Sequence, residues 1–171
     1  MKKYISAFIS GFGAGVLQIV PAVKSFSCCL IIPVASYIAV MLDRKSTGRI
    51  NKISTKKGLL IGLVTGLYAA LFGSIFELLI TFITRSNDFI FAIGELQKAI
   101  NQLPLDDLLK MEVLKMIGKV VQDIQHSGFS VLYTFSIILN NFIVNPIFGM
   151  IGGIISVQII NSKINSDNSE I

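Results

Sequence analysis

The stretch Gly58–Glu77, GLLIGLVTGLYAALFGSIFE, decides how this chain is read. Gly58, Gly62, Gly66, Ala70 and Ser74 fall four apart, so they line one stripe of a helix. Most residues between them are large and apolar. A stripe of small residues along an apolar helix is a face for close contact with another helix in lipid. Glu77 stands one turn beyond Ser74, still inside the apolar run. An ionisable residue within a membrane span is a functional-site candidate.

Three further apolar runs flank this one. The four runs are 5–23, 26–42, 59–83 and 131–160. A membrane-spanning helix needs about 20 apolar residues. The first two runs are short and interrupted by Pro21 and Pro33; the last two exceed the requirement. The chain has 171 residues, 53% of them hydrophobic, and no alternating strand pattern. Its mean hydropathy is +0.72. The expectation is an all-α, polytopic membrane protein with four transmembrane helices, forming a single membrane domain over 1–171.

The net charge of +5 is concentrated in one place. Between Asp43 and Lys57 stand Arg44, Lys45, Arg49, Lys52, Lys56 and Lys57, six basic residues against Asp43 alone. Basic residues beside spans mark the cytoplasmic side, and binding of anionic lipid head groups is a compatible second role for them. The loop has neither interleaved aromatics nor a recognisable nucleic-acid module, so no nucleic-acid partner is expected. Four spans then place both termini in the cytoplasm, in agreement with Lys2 and Lys3. The site after the first run, Pro21–Ser25, is a poor match to a signal-peptide cleavage site, so an uncleaved first span is expected.

The segment 84–130 falls outside the cell under this topology and carries five basic residues against six acidic ones. Phe89, Ile93, Leu96, Ile100 and Leu103 give it one amphipathic helix, ended by Pro104. Leu109, Val113, Met116, Val120 and Ile124 give it a second, capped by Asp106 or Asp107 and closed by Gly128. These two extracytoplasmic helices lie on the membrane surface, pack as a hairpin, or cover a partner protein. The polar residues 161–171 read as a short disordered tail.

Span four carries its own stripe. Asn141, Asn145, Gly149 and Gly153 fall four apart, with Asn140 beside them and Pro146 following Asn145. Gly149 and Gly153 form a close-contact pair. Pro146 removes a backbone donor, and Asn141 or Asn145 could fill the freed polarity. Glu77, Asn140, Asn141 and Asn145 are thus the intramembrane polar candidates. Glu77 either binds a proton or cation, or fixes helix register through a hydrogen bond, with Tyr133 and Thr134 as alternatives to the asparagines as its partner.

Chemistry is otherwise sparse. Cys28 and Cys29 are adjacent and read as buried small hydrophobes. His126 is the single histidine, so no metal site or other cofactor is expected. No paired acids or activated nucleophile stand in the spans, and no catalytic residue is assigned.

The GLLIGLVTGL string at 58–67 after a basic loop, the long helical insert, and Gly149-Met150-Ile151-Gly152-Gly153 in the last span are similar to an uncharacterised, domain-of-unknown-function family of small four-span bacterial membrane proteins. That resemblance implies a multi-pass protein of the bacterial inner membrane and transfers no functional residue. The expected function is a non-enzymatic integral membrane protein, structural or accessory, acting through helix–helix packing. Its partners are the lipid bilayer and either a second copy or another membrane protein. The alternative is a small transporter or channel using Glu77 and the asparagines of span four.

Overall fold

The computed structural model describes residues 4–24, 26–48 and 51–169, and every element in them is helical. Lys2, Lys3 and Arg49, and the last two residues of the expected tail, lie outside the described residues. The helices are α1 (Ile5–Leu17), α2 (Pro21–Lys24), α3 (Ile32–Ser46), α4 (Thr55–Thr84), α5 (Asp88–Phe91), α6 (Ile93–Gln102), α7 (Asp107–Ser127) and α8 (Val131–Ser169). A π-helical turn, Ser27–Ile31, leads into α3.

Two helices are long and apolar enough to cross a membrane, Thr55–Thr84 and the Val131–Ile164 part of α8. The first expected span ends early: α1 has 13 residues, about 20 Å at the α-helical rise. The chain then turns and restarts at Pro21, whose missing N–H suits a first helical position. The second expected span begins in the π-turn and continues past Leu42 to Ser46. Pro33 is tolerated there because it falls in the first turn of α3. Pro146 lies within α8 without ending it. Past Ile160, α8 continues to Ser169 where the sequence suggested a tail. Asn161 supplies a reason, because it ties that part of the helix to the loop before α4.

The chain divides into two compact units where the sequence suggested one domain. The first comprises Met1–Phe76 and Ile138–Ile171, the second Glu77–Ile137. In the first unit the two small-residue stripes meet. A methyl group added to Gly58 would strike Val157 and the Gly153 carbonyl, one on Gly62 the Gly149 carbonyl, and one on Gly66 the backbone of Asn145 and Pro146. The contact recedes along α8 as α4 advances, so these helices run antiparallel at backbone contact. Gly11 of α1 meets Thr65 and Tyr68, and Gly15 meets Phe72 and Gly73, so α1 runs parallel to α4. Ala7 clusters with Ala39 and Val40, and Ala14 with Ile31, Ile32 and Ala35, which sets α3 antiparallel to α1. Phe8 and Phe12 add edge-on contacts to Tyr68, Phe72 and Phe76, with ring centroids 5.0 to 5.9 Å apart.

This unit has inverted polarity. Ser6, Ser10, Gln18, Ser36, Thr65, Ser74, Asn141, Asn145 and Ser156 are buried. On the opposite side of α8, Ile143, Ile147, Ile151, Ile155 and Ile159 recur every four residues and are all exposed. Leu60, Leu67, Leu71 and Ile75 of α4 are exposed as well.

The second unit has a smaller core and also exposes large apolar side chains, among them Phe91, Leu108 and Met111. Its core is Val120, Ile124 and Tyr133, packed by Leu78, Phe89, Ile90 and Ile137. Asn87 caps α5 by accepting from the Ile90 N–H at 3.0 Å. The first amphipathic helix is broken at Ala92 into α5 and α6, and Leu103 is extended before Pro104. Asp106 occupies the N-cap of α7 without a side-chain cap bond. Gly128 closes α7 in the left-handed conformation, φ 75°, its N–H donating to the Ile124 carbonyl at 2.7 Å. The apolar stripe of α7 divides: Val120 and Ile124 are buried, whereas Leu109, Val113 and Met116 are exposed.

Candidate functional site

The buried polar groups of the first unit gather where α1 ends. The last turn of α1 closes through the Gln18 N–H to the Ala14 carbonyl, which leaves the Gln18 side chain at the helix terminus. It lies against Gly73, where an added Cβ would come 2.6 Å from its Oε1. Gly73 therefore makes room for an amide. Asn145 donates through Nδ2 to Gln18 Oε1 at 3.3 Å, and Asn141 donates through Nδ2 to Ser74 Oγ at 3.0 Å. Gln18, Asn141 and Asn145 are 8%, 9% and 4% exposed. The Nε2 of Gln18 has no hydrogen-bond partner among the described residues.

These contacts sort the candidate residues. Asn141 and Asn145 share the face that the four-residue spacing predicts. Asn140 does not join them and is exposed, because consecutive helical residues point about 100° apart. Gly58, Gly62, Gly66, Gly149 and Gly153 are the contact positions between α4 and α8, Ala70 is fully buried, and Ser74 is buried with its hydroxyl accepting from Asn141. Neither asparagine hydrogen bond goes to a backbone carbonyl freed by Pro146; both go to side chains.

Glu77 belongs to the second unit. Its Oε1 accepts from the Tyr133 hydroxyl at 3.1 Å, one of the alternative partners the sequence allows. Tyr133 is buried and Glu77 half-buried. Phe89 packs on the Tyr133 ring, centroids 6.1 Å apart. A carboxylate accepting from a packed phenol is oriented, which fits a register-fixing role. Among the described residues, no group of three His, Cys, Asp or Glu side chains could hold a metal ion. His126 is exposed on α7, and Cys29 is exposed on the π-turn where a buried thiol was expected; the Cys28 side chain lies outside the described residues.

The basic stretch is anchored on either side of residues 49 and 50. Asp43 is only 5% exposed and forms an ion pair with Lys57, joining the end of α3 to the start of α4. Asn161 of α8 grips the backbone of Ile53 twice, its Oδ1 accepting from the Ile53 N–H and its Nδ2 donating to the Ile53 carbonyl, both at 2.9 Å. Lys45, Lys52, Lys56 and Lys163 are exposed.

Sequence reading missed Gln18, Asn161 and the burial of Asp43. Gln18 left a signal, as an amide inside an apolar run. Asn161 left none, since it opens a polar stretch of Ser, Asn and Asp. Compared with protein-family models, with curated proteins and with solved structures, the chain matches none.

Proposed function

We propose that this chain is a multi-pass integral membrane protein of structural or accessory type, working through helix contacts and without catalysis of its own. The observation that carries the reading is the inverted polarity of the first unit. Exposed isoleucines at five successive four-residue steps of α8 would face water in a soluble bundle, while serines and amides are buried behind them. Monomers in water rarely expose a contiguous apolar surface of that extent. In hydrocarbon the same arrangement is favourable: large side chains meet lipid, and polar groups pair with one another.

Helix dimensions agree. The α4 part of the first unit, 55–76, is about 33 Å long by the α-helical rise, against a hydrocarbon core of about 30 Å. The π-turn and α3 run without interruption from Ser27 to Ser46. α1, at about 20 Å, is shorter than the hydrocarbon core. The alternating helix directions support a reading of four crossings, with the ends of α3 and α8 on the basic side beside the starts of α1 and α4. That side is cytoplasmic by the positive-inside rule, in a bacterial inner membrane, which makes 84–130 extracytoplasmic. The partners are lipid and a second copy or another membrane protein.

The test is fractionation with sided labelling. The protein should stay in membranes through alkaline carbonate and leave only with detergent. Single cysteines at Lys52 and Gln122, introduced into a variant lacking Cys28 and Cys29, should label from opposite faces. Release by carbonate, or labelling of both from one face, overturns the proposal.

One observation favours a second reading, a small transporter or channel using Glu77, Asn141 and Asn145. It is the unpartnered, buried Nε2 of Gln18, at the break after α1; discontinuous helices and polar groups in mid-membrane are where transporters bind solutes. Under that reading Glu77→Gln abolishes a cation- or proton-dependent flux in proteoliposomes, and unchanged flux removes Glu77 from it.

A further inference from the structure

We propose that the end of the first unit where α3 stops and α4 starts is a docking surface for anionic phospholipid head groups. The inference rests on the membrane reading and adds a specific ligand class to it. Three observations carry it. The sole carboxylate between residues 43 and 57, Asp43, is buried and engaged by Lys57, so it does not offset the exposed cations around it. The connection is held at two points, by that ion pair and by the two-bond grip of Asn161 on Ile53. That grip also gathers charge from distant sequence. Lys52 precedes Ile53, Lys163 follows Asn161 by two residues, and both lysines are exposed, as are Lys45 and Lys56.

Charge alone does not make such a surface, and α7 provides the internal contrast. Its Lys110, Lys115 and Lys119 are interspersed with Asp107, Glu112 and Asp123, and Lys110 lies 3.7 Å from Asp107. Within 43–57 the sequence holds no acidic residue besides Asp43. A cluster of lysines at the cytoplasmic membrane surface attracts acidic lipids.

Native mass spectrometry of the detergent-solubilised full chain, titrated with phosphatidylglycerol or phosphatidylcholine, tests this. Phosphatidylglycerol should be retained about tenfold more tightly than phosphatidylcholine, and the excess should fall as salt rises. Replacing Lys45, Lys52, Lys56 and Lys163 together by glutamine should remove the excess, while replacing all four by arginine keeps it. Glutamine at Lys110, Lys115 and Lys119 should leave it unchanged. Inorganic phosphate at millimolar concentration should not displace the lipid, since the ligand is the head group held at the bilayer surface. Equal retention of the two lipids, an excess that survives the fourfold glutamine change, or displacement by phosphate overturns the proposal. Retention of neither lipid, in a protein stable without detergent, overturns the membrane reading instead.

Discussion

The two units use the same element, the helix, with different interiors. In the first, glycine, serine and asparagine are buried beside apolar clusters that include Ile32 and Ile61, while one row of isoleucines on α8 and the leucines of α4 are exposed. In the second, valine, isoleucine and tyrosine are inside, and Lys115, Lys119 and Gln122 of α7 are exposed. Side-chain burial holds the core of the second unit. The first unit adds backbone approach at glycines and a few internal hydrogen bonds to its apolar clusters, the kind of packing that helices use in lipid under the membrane reading. Glycine therefore has different meanings in the two regions. In α4 and α8 it is where another backbone fits; in α6 and α7, Gly94 and Gly118 have open space around them.

The largest effect should come from filling the backbone contact. Gly62→Leu places a side chain where the Gly149 carbonyl lies, and neither helix backbone can move without parting the stripes. Overpacking a core costs about 1–3 kcal/mol where side chains can shift, and more where backbone is the obstacle. The variant should fail to give a folded species by size-exclusion chromatography in mild detergent, whereas Leu63→Ile should not. A well-folded Gly62→Leu protein would mean that α4 and α8 do not pack through this stripe.

Next comes the ion pair at the basic end. Asp43→Ala leaves Lys57 without its buried acceptor and should cost about 2 kcal/mol, read as a lowered thermal midpoint in detergent. Lys57 is 21% exposed, so its ammonium can reach water and the loss stays below that of a fully enclosed pair. A loss beyond that range would show Lys57 to be more enclosed than its exposure indicates.

The amide pairs sharpen the comparison on a smaller scale. Asn145→Leu should cost about 1 kcal/mol, in line with measured hydrogen bonds between membrane helices. It removes the donor to Gln18 and leaves that amide without either bond. The double change with Gln18→Leu should recover part of the loss, because replacing both partners removes the stranded polar group. If the double variant is less stable than the single one, Gln18 has an interaction of its own.

The stripes on α4 and α8 were legible because close helix packing leaves a local signature, small residues at fixed spacing. That these two stripes pack on each other came only from the fold, because spacing shows a face and not its partner. Gly128 was legible for a local reason too, the end of a periodic pattern. The Asn145–Gln18 and Asn161–Ile53 contacts join residues 127 and 108 positions apart, and spacing along one helix carries no information about them. The stripe of α7 was read correctly as a face, yet only Val120 and Ile124 of it are buried. Periodicity reports which side of a helix is apolar, and the partner decides how much of that side is used. Glu77 was legible as an exception within an apolar run, and the fold selects Tyr133 from the partners the sequence allowed.

The smallest expected effect has the opposite sign. Gly118 lies in the middle of α7, and an added Cβ would meet nothing within 4 Å. Glycine inside a helix costs about 0.5–1 kcal/mol relative to alanine, because the unfolded chain has more freedom to lose. Gly118→Ala should therefore stabilise α7, by up to about 1 kcal/mol, seen as slower amide hydrogen exchange across residues 110–124. The same change at Gly149, where the Gly62 carbonyl occupies the space, should destabilise. One substitution with two signs separates a glycine that is only a weak point of a helix from one that is the contact itself. If Gly118→Ala also destabilises, its surroundings are occupied, and α7 has a close helical neighbour at that position as α8 does at Gly149.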